Sequence, residues 1–145
     1  MIKNIYAPPY REYWIVFTQT KHWIGKLLKS NCSHCYIITR DEFNWIKIDC
    51  QQRWLSVQIL PYRKDEDAIR AETKHLDRVI RVRMYRGSTK GVHKLFGLTN
   101  CVTFVQYTLG VKLWSFTPYQ LCKALLRLTR SQMNQKGIVS VQQIT

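Results

Sequence analysis

The chain of 145 residues suits one domain and is long enough to bury a real core. A hydrophobic fraction of 46%, with five Trp, eight Tyr and five Phe, argues for a packed globular protein, and no apolar run approaches the ~18 residues of a membrane span. The net charge of +14 is lopsided: all nine acidic residues lie at or before Asp77, whereas residues 78–145 carry eleven Lys and Arg, which implies attraction to a polyanion such as nucleic acid, an anionic membrane surface or a cell-wall polymer.

Residues 1–12 read as an irregular lead-in, because Pro8-Pro9 excludes helix. Met1 to Pro9 lacks the apolar region of a signal peptide, so a cytoplasmic or virion location is expected. Tyr13 to Thr18 is a β-rich first strand, and Lys21 to Lys29 a short helix with Trp23 and Leu27 inward. Ser33 to Thr39 is a second strand, followed by a turn at Arg40-Asp41-Glu42. Phe43 to Asp49 and Trp54 to Leu60 make two more strands, joined through Cys50-Gln51-Gln52-Arg53 and ended by Pro61. Asp65 to Thr73 reads as a polar helix, and Arg78 to Tyr85 alternates Arg with apolar residues as a half-exposed strand does. Arg86 to Lys94, with Gly87 and Gly91, reads as a loop.

The next helix carries its own start and stop. Asn100 is a good N-cap, Val102, Val105 and Leu109 recur at helical spacing, and Gly110 sits where a left-handed residue is wanted. Thr117-Pro118-Tyr119-Gln120 opens another helix as a capping box with Pro at the first position. Along it, through Arg130, Leu121, Leu125 and Leu128 face one way and Lys123, Arg127 and Arg130 form a basic stripe. The polar stretch 132–145 holds a strand at Ile138 to Val141. There is no repeat and no linker, so residues 1–145 read as one α+β domain.

Cys101 falls at the first position of its helix, where unpaired backbone N–H groups and the positive end of the macrodipole favour an anion. A thiol there ionises more easily than a free one, and the thiolate is the nucleophile. Such a thiol needs a base and a group that orients the base. His22 and His75 lie in presumed helices and His93 in a loop, whereas His34 begins a strand that would hold it rigidly. Asp49, ending the next strand, is the best placed acidic residue to reach its far nitrogen, with Asn44 and Gln58 as substitutes. The five cysteines are odd in number and lack framework spacing, which suggests free thiols. Cys32-Ser33-His34-Cys35 contains a C-x-x-C, but no second pair of ligands follows, so neither metal nor cofactor is expected.

Strand Trp14 to Thr18, a helix with Trp23 and then Ser33-His34-Cys35-Tyr36-Ile37-Ile38 resembles the opening of circularly permuted papain-like proteins of the NlpC type. Thr99-Asn100-Cys101-Val102-Thr103-Phe104-Val105, with Leu109-Gly110 and Thr117-Pro118, is similar to that group's nucleophile helix and the helix after it. In the permuted order the histidine precedes the cysteine, as here. The resemblance spans residues 13 to about 130. It implies an antiparallel sheet packed against a nucleophile-bearing helix, and a cysteine hydrolase or acyltransferase with Cys101 as nucleophile, His34 as base and Asp49 as orienting group. The implied partner is a peptide, peptidoglycan or other acyl substrate, and proteins of this size in the group are frequent in tailed-phage genomes. The rival reading is a basic virion protein that keeps the scaffold, contacts other virion proteins and binds DNA or another polyanion through Lys123, Arg127 and Arg130.

Overall fold

The protein is seen as a computed structural model that describes residues 9–19, 32–41, 43–51, 54–61, 65–73, 77–86 and 100–144. The expected helix Lys21 to Lys29, with Trp23, and histidines His22, His75 and His93 lie outside them, as does most of the expected loop Arg86 to Lys94. The strands are β1 (Tyr10–Thr18), β2 (His34–Arg40), β3 (Trp45–Gln51), β4 (Trp54–Leu60), β5 (Arg78–Tyr85) and β6 (Ile138–Gln143). The helices are α1 (Asp65–Glu72), α2 (Cys101–Leu109), α3 (Pro118–Leu126) and α4 (Arg130–Gln135). Among the described residues this is an α+β protein with a six-stranded antiparallel sheet and four short helices. The strand order is β4-β3-β2-β1-β5-β6.

The middle of the sheet is covered on both faces, so β1 shows an unbroken buried run from Tyr13 to Phe17 rather than alternation. Tyr13, Ile15 and Phe17 pack with Ile37, Ile80, Val82 and Met84 under α2 and α3, which supply Val102, Val105, Leu109, Leu121 and Leu125. Trp14, Val16, Tyr36, Ile38, Trp45, Leu60 and Val79 occupy the other face with Ile69 of α1. Two hydrogen-bonded contacts tie α1 down: the Tyr36 hydroxyl donates to the Glu72 carbonyl at 2.7 Å, and Lys47 pairs with the Glu72 carboxylate at 3.0 Å. No helix among the described residues is long and apolar enough to cross a membrane.

Three expectations about boundaries need correction. Residues 10–12 are not part of an irregular lead-in, because β1 pairs with β5 as far out as Tyr10 opposite Tyr85. The third strand starts at Trp45 rather than Phe43, since the Asp41 side chain accepts from the backbone N–H groups of Phe43 and Asn44 at 2.8 and 2.6 Å and closes a turn there. The long last helix is two helices. Arg127, at φ −95° and ψ −1°, caps α3, and Thr129 then starts α4 with a capping box to Gln132. Part of the polar stretch 132–145 is thus helical, and β6 is an edge strand beside β5.

The Arg residues of β5 are partly neutralised inside the fold. Arg81 and Arg83 both donate to Glu12 Oε1, Arg83 Nε at 2.6 Å, and their guanidinium groups lie over the rings of Trp14 and Tyr10. Burial alone would raise the pKa of Glu12, but the hydrogen bonds and charges of Arg83 and Arg81 hold it below the ordinary 4.5. A folded-state pKa below the unfolded one means that the contribution to stability is full above the unfolded value and lost as pH falls through the lower one. Replacing Glu12 by Gln leaves two half-buried cations without their shared anion and should cost about 1–3 kcal/mol in urea unfolding near neutral pH. That difference should shrink in acid; an unchanged midpoint at neutral pH would contradict this account of the pair.

Candidate active site

Helix α2 begins where its sequence says it should. The Asn100 side chain accepts from the Thr103 N–H at 2.8 Å, and the Asn100 N–H donates back to the Thr103 hydroxyl at 3.0 Å. This capping box is worth about 1 kcal/mol and fixes the first turn. At the other end Gly110 takes φ 63° and ψ 26°, a left-handed conformation that suits a residue without Cβ. With Val102, Val105 and Leu109 buried, Cys101 is left half-buried at the first helical position, at the end of the sheet.

His34 and Cys35 open β2 and both reach the Cys101 sulfur. Successive residues of a strand point to opposite faces, so contact with both places this sulfur at the strand end rather than over either face. His34 Nε2 lies 2.7 Å from Asp49 Oδ1. That engagement leaves Nδ1 as the ring nitrogen available to the thiol. Asp49 sits on β3, facing the same side of the sheet as Trp45 and Lys47. His34 is thus bonded to Asp49 on one side, and its influence on the Cys101 thiol places the three residues together.

The electrostatics favour an ion pair. A hydrogen bond from the Cys35 thiol lowers the pKa of Cys101, burial opposes it, and hydrogen bonds from His34 and from the Cys35 backbone N–H, with the His34 charge, bring the thiol down to about 4. For His34, burial favours the neutral ring, but the hydrogen bonds to Asp49 and Cys101 override it and lift the imidazole to about 9. Burial likewise opposes ionisation of Asp49, and the His34 hydrogen bond and charge hold its carboxyl below the usual range. These shifts favour a thiolate, an imidazolium and a carboxylate at neutral pH.

The substitutes for Asp49 are not engaged by His34. Asn44 belongs to the Asp41 turn, and Gln58 pairs with Lys47 in the ladder, two positions along β3 from Asp49. Two other residues join the site without having been singled out as site members. Cys35 is buried and donates to the nucleophile, and Gln51 donates to Asp49 Oδ2 at a long 3.5 Å while accepting from the exposed Trp54 indole at 2.9 Å. All five cysteines are free thiols, and burial pushes those of Cys32, Cys35, Cys50 and Cys122 up, so Cys101 alone is poised as a nucleophile. Among the described residues no group of three His, Cys, Asp or Glu could hold a metal ion.

Lys123, Arg127 and Arg130 are all exposed, but they do not form a stripe on one helix. Lys123 lies on α3 with its ammonium 4.4 Å from the centre of the Tyr119 ring, Arg127 caps that helix, and Arg130 begins α4. The break at Thr129 separates the last two from a common helical face. No protein-family model, curated protein or solved structure matches this chain, so the case for what these groups do rests on their own chemistry.

Proposed function

We propose that the protein is a cysteine hydrolase or acyltransferase of the circularly permuted papain-like type, acting on amide, thioester or ester carbonyls. One observation carries this reading: a half-buried thiol at a capped helix start, lowered in pKa by a histidine that a carboxylate holds at 2.7 Å. The Cys101 thiolate attacks the carbonyl carbon, and the backbone N–H at the helix start stabilises the oxyanion. The His34 imidazolium gives its proton to the leaving group, and the neutral ring then takes one from the water or amine that resolves the acyl-enzyme. Asp49 keeps the ring oriented and sustains its charge. The order His34, Asp49, Cys101 along the chain supports the permuted arrangement, and a peptide or peptidoglycan cross-link is the substrate class we favour.

An activated ester such as p-nitrophenyl acetate tests the reading. We expect a burst of about one equivalent of p-nitrophenolate from the protein and none from Cys101→Ala. A burst of equal size from both proteins, or from neither, would reject the reading.

A second reading is supported by a separate observation, the three exposed cations around the α3–α4 junction in a half of the chain that has no carboxylate. These would let a basic virion protein grip DNA or another polyanion, with or without turnover at Cys101.

A further inference from the structure

The C-x-x-C at Cys32 and Cys35 has no part in acyl transfer as set out above, yet it delivers a second thiol to the nucleophile. Cys101 packs against the core cluster that holds Cys35, Cys32 and Cys122. Cys35 stands opposite Phe17 on the face of the sheet that α2 covers, and its thiol and backbone N–H are among the groups that lower the pKa of Cys101. Cys101 is half-buried, whereas Cys35 is 1% exposed. The two cysteines thus differ in access while packing into one cluster. Cys50, another cysteine near the site, directs its thiol 4.0 Å from the carbonyl of Gln51.

We propose that Cys101 and Cys35 form a peroxide-sensitive pair, in which a hydroperoxide oxidises Cys101 and Cys35 resolves it as an internal disulfide that reversibly closes the site. In the first step the Cys101 thiolate attacks one oxygen of hydrogen peroxide and the O–O bond breaks. The sulfur becomes sulfenic acid, and the departing hydroxide takes the proton held on His34 and leaves as water. In the second step Cys35 sulfur attacks Cys101 sulfur, the S–O bond breaks, and the hydroxyl leaves with the Cys35 proton as a second water. One thiolate, one thiol, one imidazolium proton and one peroxide become one disulfide, a neutral imidazole and two waters.

The environment favours the second step once the first has occurred. Burial, together with the hydrogen bond to the Cys101 anion and repulsion from it, keeps Cys35 protonated. Conversion of that anion to neutral sulfenic acid removes the last two of these restraints while Cys35 stays packed in the same cluster. Burial meanwhile protects Cys35 from being oxidised first. The step needs the Cys101 thiolate but no acyl chemistry, so it stands apart from hydrolysis.

The test is peroxide treatment of the full chain, followed by alkylation of the remaining thiols under denaturing conditions and mass mapping. The protein should lose two of its five thiols, become about 2 Da lighter before alkylation, and yield a linked Cys35–Cys101 peptide that a thiol reductant separates. Cys35→Ser should instead gain about 32 Da at Cys101, as sulfinic acid that reductant does not reverse. Oxygen added to Cys101 of the unaltered protein with Cys35 still free, or a link from Cys101 to any other cysteine, would overturn the proposal. The unaltered protein decides the question even if Cys35→Ser fails to fold. A chain that forms the link but gives no ester burst would refute the hydrolase reading and leave this one intact.

Discussion

His34→Ala should slow acylation of Cys101 by about 100- to 10,000-fold, the range expected when a positioned acid–base group is lost. It should also raise the pH at which the thiol becomes reactive. In the unaltered protein, alkylation of Cys101 should set in near pH 4, because the thiol is held down to about 4 and its anion is present above that value. Without the imidazolium, one charge and one hydrogen bond disappear, and the inflection moves toward the ~8.5 of a free thiol. Cys35 still donates, so the shift should stop short of that limit. Turnover should be bell-shaped: the acid limb falls as Cys101 gains its proton, and the alkaline limb falls as His34, lifted to about 9, loses its own. Asp49→Asn removes the anion that favours the imidazolium, so its alkaline limb should move to lower pH. An alkylation inflection that is the same in the unaltered protein and in His34→Ala would mean that the two residues are not coupled.

The basic half of the chain makes a second large expectation. If Lys123, Arg127 and Arg130 each touch a phosphate, replacing all three by Gln should flatten the slope of log affinity against log salt by about two to three units on a mixed-sequence DNA fragment. Over a tenfold range of salt that is about a 100- to 1,000-fold difference in how far binding weakens. Arg81 and Arg83 should contribute little, because both already share Glu12. The triple change should leave Cys101 alkylation nearly unaltered, since exposed charges beyond a Debye length of about 8 Å are screened at physiological salt. Absence of binding at low salt would remove nucleic acid as the partner.

What could be read from the sequence was set by local signals. Trp54–Leu60 and Arg78–Tyr85 have the expected bounds because Pro61 stops one and Arg alternation marks the other. The start and stop of α2 follow from Asn100 and Gly110, whose roles depend on side chains within a few residues. The pairing of His34 with Asp49 was within reach because antiparallel neighbours bring the start of β2 to the end of β3, which also leaves Asn44 at the far end beside Arg40 and Asp41. Other features depend on long-range packing. Pro8-Pro9 marked the lead-in, but how far β1 extends is decided by β5, some seventy residues away. Cys35 reads locally as half of a metal or redox motif, and only the docking of α2 on the end of β2 turns its thiol into a donor to Cys101. Gln51 reads as turn chemistry until Trp54 and Asp49 close around it. The missed break into α4 did have a local signal, Thr129 followed by Gln132, but the leucine spacing at 121, 125 and 128 continued the helical pattern across it.

A Cys101 thiolate at neutral pH has an ultraviolet absorbance that its protonated form lacks. Burial pushes the other four thiols up, so any signal at pH 7 comes from one sulfur. On acidification we expect the absorbance of one thiolate to vanish with an inflection near pH 4, and Cys101→Ser to lack it entirely, because the thiol pKa is brought down to about 4. No thiolate absorbance at pH 7, or an equal signal from Cys101→Ser, would contradict the account.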